Sequence, residues 1–268
     1  MTARSDTHTK RASAATPKGQ CRSTSLQRMR LDDVLVERGF ADDRAAALRI
    51  IIAGEVKVDM QVAKSAAMHI APDSALEVKS HSRFVSRGGE KLQAALEAFD
   101  QQVEGLRCID VGSSTGGFSD CLLQAGARAV TCVDVNYSQL AWSVRTDTRV
   151  TVFERTNIRQ ADPAVLGAPF DLIVADLSFI GLARLARVFA RLGQEGSVFI
   201  GLVKPQFESK QGEADGGVVT DEAVRLRTVH EVEDALATAG FTVTGVIESP
   251  ITGKRSGNVE YLVRAVLK

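Results

Sequence analysis

The stretch that most constrains this chain is Cys108-Ile109-Asp110-Val111-Gly112-Ser113-Ser114-Thr115-Gly116-Gly117-Phe118. An apolar run stops in a turn of small residues, and Phe118, Cys121, Leu122 and Ala125 then recur at helical spacing. Glycine has no Cβ and tolerates positive φ, so such a turn lets backbone approach a ligand closely. It also aims the first N–H groups of the next helix at that ligand. A second apolar run, Ala129-Val130-Thr131-Cys132-Val133, ends in Asp134. An acid at that place in a βαβ unit can hold the two hydroxyls of an adenosine ribose.

The spacing of the turn separates two adenosine ligands. A dinucleotide fingerprint reads G-x-G-x-x-G. This turn reads G-x-x-x-G-G, with Asp110 inside the strand end. A cationic sulfonium ligand suits an acid there, and a pyrophosphate does not. The expected cofactor is therefore S-adenosylmethionine, with Asp110, Gly112, Ser113, Ser114, Thr115, Gly116, Gly117 and Asp134 as its contacts. The simpler alternative is a strand-to-helix turn that binds nothing.

Strand and helix patterns alternate on both sides of this turn. Strands are predicted at 106–111, 129–133, 150–154, 172–176, 197–203, 242–248 and 261–267. Such alternation predicts an α/β fold, a Rossmann-like, doubly wound sheet of seven mostly parallel strands, with the last two antiparallel at its edge. Ligands of these sheets lie beyond the carboxyl ends of the strands. Asp176 closes the fourth strand, Lys204 closes the fifth, and Glu260 opens the last, which runs the other way and so starts at the same edge. Lys91 lies on a helix that opens at Gly88-Gly89, with Ser86 as its expected N-cap. Each of these charges taken singly has a bland role, a solvated helix face or a strand end reaching for water.

Formal net charge is zero over 268 residues, so no global basic field points to nucleic acid. The charge is uneven, however. Residues 1–28 carry Arg4, Lys10, Arg11, Lys18, Arg22 and Arg28 against Asp6 alone, and almost no large apolar side chain. That segment is expected to be a disordered basic tail. It has no apolar core of a secretory leader, and no run in the chain is long enough to span a membrane. Cys21, Cys108, Cys121 and Cys132 form no C-x-x-C pair, and the last three, in the strand–helix–strand unit, are expected as buried free thiols, which predicts no metal site and a reducing, cytoplasmic setting.

Between the tail and the sheet lies a small unit, 29–80. Leu31, Val34, Leu35 and Val36 predict a short helix that ends at Arg38-Gly39. Asp42 or Asp43 caps a second helix through Ala45 and Ile52, with Gly54 beyond its end. Val56-Lys57-Val58, a turn at Asp59, a partner strand through Val62 and a last strand at Leu76-Glu77-Val78 complete it. A Met60 forced to positive φ in that turn would be strained. Residues 81–85 form the linker and 86–268 the sheet domain.

The small unit resembles the alpha-L RNA-binding domain, the type named after a ribosomal small-subunit protein. The resemblance rests on Arg30-Leu31-Asp32, Arg38-Gly39, Arg44 and Ile52-Ala53-Gly54-Glu55-Val56-Lys57-Val58. It implies RNA-backbone contacts from Arg30, Arg38, Arg44, Arg49, Lys57 and Lys64. Acids outnumber bases nine to seven over this unit, so any basic face must be a stripe. In the sheet domain the order Lys91, Asp176, Lys204, Glu260 resembles the K-D-K-E tetrad of FtsJ-type RNA ribose 2′-O-methyltransferases. The phrases SRGGEKL, DVGSSTGGF, ADLSFI, LVKPQFE and GNVEYL, behind an RNA-binding unit, resemble the TlyA family, also called haemolysin-like.

That resemblance implies transfer of a methyl group from S-adenosylmethionine to cytidine 2′-hydroxyls of small- or large-subunit ribosomal RNA. Asn157, after the third strand, would read the adenine edge. Lys204 would be the general base, helped by burial and by the nearby Lys91 charge. Asp176 would orient Lys204, and Glu260 would hold Lys91 or the ribose. In the alternative division both lysines stay charged and only steer the hydroxyl. The donor carries its own leaving group, so the chemistry asks for no metal. The loop 208–217 would be a mobile flap, and Lys254 and Arg255 would meet RNA. Two other readings are an assembly factor that binds RNA and donor without catalysis, and a membrane-active haemolysin. The second asks for an amphipathic or apolar insertion segment, and none is visible in the sequence.

Overall fold

The computed structural model describes residues 28–41, 43–71, 73–79, 83–253 and 257–268. The basic tail up to residue 27, with Cys21, and the pair Lys254 and Arg255 lie outside the described residues. The chain divides into two compact units, Met1–His81 and Ser82–Lys268.

The first unit runs β1 (Met29–Arg30), α1 (Leu31–Glu37), α2 (Arg44–Ile52), β2 (Val56–Val58), β3 (Gln61–Val62), β4 (His69–Ile70) and β5 (Leu76–Val78). Asp43 caps α2 by accepting from the Ala46 N–H at 2.6 Å. Leu31, Val34 and Leu35 of α1 and Ala47 and Ile51 of α2 close over Val56 and Val58 of β2. β2 lies between β3 and β5, all antiparallel. The turn after β2 puts both Asp59 (φ 49°) and Met60 (φ 68°) in the left-handed region, so the strain expected of a methionine there is present. The two-residue pairing of β1 with β4 has no signature in the sequence, because strands that short carry no periodicity.

The second unit opens with α3 (Gly88–Ala98), then β6 (Arg107–Val111), α4 (Gly117–Gln124), β7 (Ala129–Val133), α5 (Trp142–Arg145), β8 (Val150–Phe153), α6 (Pro163–Leu166) and β9 (Leu172–Ala175). A 3-10 turn (Leu182–Leu185) leads into α7 (Ala186–Leu192), β10 (Val198–Val203), α8 (Pro205–Glu208), α9 (Glu222–Thr238), β11 (Phe241–Glu248) and β12 (Tyr261–Leu267). Seven strands form one sheet in the order β11-β12-β10-β9-β6-β7-β8. β6 through β10 are parallel, and β12 is antiparallel to both β10 and β11. The last two strands do pair antiparallel, with β11 at the edge and β12 one place in. The strand order reverses between β6 and β9, where a doubly wound sheet opens a crevice.

Each face of this sheet has its own core. One gathers Phe189, Phe199 and Phe241, with the first two rings stacked at 4.6 Å. The other holds Leu92 and Leu96 of α3, Phe118 and Leu122 of α4, and Cys108, Cys121 and Cys132. Burial pushes each of these free thiols up to about 12, which leaves them inert. Ser86 does not cap α3. The residue before α3 is Arg87, already helical, and Ser86 contributes its carbonyl to the Gly89 N–H. No helix among the described residues is long and apolar enough to cross a membrane.

Candidate active site

Sheet register sets the polar strand ends side by side. Val111 of β6 lies opposite Ala175 of β9, so Gly112 and Asp176 follow as neighbours. Val203 of β10 lies opposite Tyr261 of β12, so Lys204 and Glu260 take the next rung. Pro205 lacks an N–H and stops β10 from continuing, which turns the chain into α8 with Lys204 at its head.

The four charged residues form two ion pairs. Lys204 Nζ contacts Asp176 Oδ1 and donates to Ser178 Oγ at 3.4 Å. Lys91 Nζ, reaching over from α3, donates to Glu260 Oε2. The Lys91 and Glu260 side chains are 9% and 3% exposed, against 12% and 25% for Lys204 and Asp176. The deeper pair is thus closed off, and the Lys204 pair keeps access to solvent. Each lysine has its own carboxylate.

Beside the Lys204 pair lies a cavity of about 340 Å³, within the range of small-molecule sites. Gly112, Ser114, Asp134, Asn157 and Asp176 line it, with Val135, Ile158 and Leu177 as apolar walls. Asp134 is held in place at both oxygens. Its Oδ2 accepts from the Ser114 N–H at 2.8 Å and its Oδ1 from the Asn136 N–H at 2.7 Å. Gly112 (φ 84°) admits no other residue, since a Cβ there would lie 2.8 Å from the Asp176 carbonyl oxygen. These groups suit S-adenosylmethionine: two carboxylates to accept from a diol and to face a cationic centre, an amide for an adenine edge, and apolar walls for the ring.

The remaining residues of the glycine turn do other work. Asp110 is fully buried; its Oδ2 accepts from the Ser119 N–H at 3.0 Å and from Ser119 Oγ at 2.6 Å. It ties β6 to α4 from beneath the turn and does not line the cavity. Ser113, Thr115, Gly116 and Gly117 do not line it either. A Cβ on Gly117 would fall 2.2 Å from Ser86 Oγ, and one on Gly116 would fall 2.8 Å from Leu140. Those two glycines are required by packing, with Gly117 seated against the loop that opens α3.

Sequence reasoning missed several lining residues. Val135, Ile158 and Leu177 look like ordinary core residues, and Ser178 and Phe179 carry no spacing signal. Phe179 stands 92% exposed at φ 70°, on the segment that lines the cavity. The expected flap is tied down. Glu213 pairs with Arg227 of α9, and Asn258 bonds to the Val219 N–H and the Gly217 carbonyl. Glu213 is therefore an anchor.

In the first unit, Arg30 pairs with Asp32, Arg44 with Asp33 and Lys57 with Glu77. Arg38 donates to the Ser74 carbonyl. Arg49 and Lys64 are exposed and have no ion-pair partner among the described residues.

Comparison with known proteins places both units. Residues 84–266 match the FtsJ-like methyltransferase family, and residues 29–75 match the S4 domain. The 16S/23S rRNA (cytidine-2′-O)-methyltransferase TlyA of Mycobacterium tuberculosis is 45% identical over 240 residues, which cover 88% of this chain and 89% of that one. A candidate rRNA methyltransferase of Bacillus subtilis, YqxC, is 43% identical over 238 residues, covering 87% of this chain and 84% of its own. A solved structure from Streptococcus thermophilus, described as a candidate hemolysin, superposes with a TM-score of 0.69 at 33% identity, covering 91% of this chain and 90% of that one. The chain belongs to the TlyA family of FtsJ-like methyltransferases.

Proposed function

We propose that this chain methylates the 2′-hydroxyl of cytidine in ribosomal RNA, with S-adenosylmethionine as donor and ribosomal RNA or a ribosomal subunit as partner. The observation that carries this reading is the Lys204–Asp176 ion pair at the mouth of the donor cavity. S-adenosylmethionine, when bound, supplies a methyl group on a positively charged sulfur. The protein's part is to place the hydroxyl, keep it there and take its proton. Placement alone can supply several kcal/mol of a barrier.

In this reading Lys204 takes the proton of the 2′-hydroxyl as the methyl group passes from sulfur to oxygen. Asp176 then stabilises the ammonium that forms, and Ser178 Oγ helps to aim it. Lys91 and Glu260 form a buried brace that fixes the strand end next to Lys204. Asp134 holds the donor's ribose and Asn157 its adenine edge. Gly112 and Ser114 shape the floor, and Asp110, Ser113, Thr115, Gly116 and Gly117 support it from below and from the sides. The S4 unit grips RNA phosphates through Arg49 and Lys64. Arg30, Arg38, Arg44 and Lys57 exchange their present partners for phosphate, and Lys254 and Arg255 contribute from the loop before Glu260. The setting is the cytoplasm, where ribosomal subunits are found.

The test is methyl transfer to subunits from a strain lacking the modification, with the product nucleoside identified by mass spectrometry. 2′-O-methylcytidine is expected. A base-methylated nucleoside, or no product from either subunit or from free RNA, would overturn the proposal. Lys204→Arg separates the two roles of the lysine: wild-type rate in that variant would replace proton transfer by steering.

A further inference from the structure

Glu208 ends the helical turn that Lys204 begins, and its carboxylate faces across to the other catalytic segment. Gly181 precedes the 3-10 turn Leu182–Leu185 and has no side chain with which to cap it. Glu208 fills that role from another part of the chain. Its Oε1 accepts from the Leu182 N–H, and the Ala183 N–H also bonds to the carboxylate. The fit is close: a Cβ on Gly181 would fall 2.2 Å from Glu208 Oε2. Burial pushes the Glu208 carboxyl up, and the two N–H groups and the Arg184 charge pull it back part of the way. The described residues give it no ion-pair partner.

The segment from Asp176 to Leu182 is thereby clamped at both ends against the segment from Lys204 to Glu208. Lys204 holds Asp176 and Ser178 at one end, and Glu208 holds Leu182 at the other. Phe207 and Phe179 meet between them at 5.6 Å. Phe179 at positive φ is a strained, exposed residue in the middle of that segment. Without the far clamp, this stretch would relax, and Asp176 would lose its fixed place against Lys204.

We propose that Glu208 is a positioning residue for methyl transfer, acting through the Leu182 and Ala183 N–H groups to fix Asp176 against Lys204. This rests on the reading of Lys204 and Asp176 given above. In Glu208→Ala, kcat falls about 10- to 100-fold, the cost of a small misplacement at a reacting centre. The Kd of S-adenosylmethionine by calorimetry changes less than about threefold, because Asp134 and Asn157 are untouched. Glu208→Gln keeps one acceptor oxygen and falls between wild type and alanine. Gly181→Ala displaces the carboxylate and lowers kcat on its own, yet adds little in the Glu208→Ala background. Amide exchange of the peptide spanning 177–183, measured on the protein without RNA, quickens in Glu208→Ala. That last readout decides the clamp even if the RNA reaction itself proves to be different. Unchanged exchange in 177–183, or a kcat within threefold of wild type in Glu208→Ala, would overturn the proposal. So would equal losses in the glutamine and alanine variants.

Discussion

Asp110 has one oxygen on Ser119 and none of the described residues bonded to the other. Burial is the main reason its carboxyl is pushed up to about 7, with the Asp176 and Asp134 charges adding to it and the Ser119 bonds opposing. The fold therefore favours the protonated acid. Stability from this residue is full below its ordinary value of 3.8 and is lost as pH rises through about 7. Asp110→Asn removes the titration. The stability of that variant relative to wild type should improve as pH is raised from about 5 to about 8, read by urea unfolding. A difference independent of pH would contradict this account of Asp110. The sequence shows an acid at the strand end, which suggests a ligand contact. What it cannot show is that the side chain turns down onto Ser119, since that depends on how α4 lies on the sheet.

The two ion pairs each join separate elements, α3 to the start of β12 and the end of β9 to the head of α8. The Lys91–Glu260 pair is the more deeply buried, so removing one partner leaves a charge without compensation. Lys91→Met or Glu260→Gln alone should cost about 3–5 kcal/mol, whereas the double variant should recover much of that loss. Urea unfolding of the four proteins measures the coupling, and additive losses would contradict the brace. Strands and their order along the chain were legible because β9 and β10 are continuous apolar runs bounded by turns, and β7 is broken only by Thr131. The partners Asp176–Lys204 and Lys91–Glu260 were legible as a tetrad only through resemblance. Their contact depends on sheet register, which no local pattern encodes. Glu208 lay in plain view within LVKPQFE, yet the reach of its carboxylate to the Leu182 amide appears only once Gly181 is placed beside it. Ser86 illustrates the opposite error: its sequence looks like a cap, but packing against Gly117 takes its hydroxyl elsewhere.

At the scale of the molecule, an S4 unit precedes a methyltransferase unit, and in the function proposed above the first holds RNA while the second modifies it. Arg30, Arg38, Arg44 and Lys57 of the S4 unit have acidic or carbonyl partners, whereas Arg49 and Lys64 are among its exposed bases with no ion-pair partner among the described residues. Arg49→Ala and Lys64→Ala should each weaken RNA binding across sequences and lower the slope of log K against log salt by about one. Filter binding over a salt series reads both effects, and an unchanged slope would place the RNA contact elsewhere. The catalytic rate on RNA held at saturation should stay as it is, because neither residue belongs to the methyltransferase unit.

The most direct test of the whole account is transfer of labelled methyl from S-adenosylmethionine to ribosomal subunits by wild type and by Lys204→Ala, with donor affinity measured on both. The account predicts that the alanine variant binds the donor within about threefold of wild type and loses transfer by about 100-fold or more. Transfer that survives in Lys204→Ala would contradict it, and would move the proton's destination away from the pair at the end of β10.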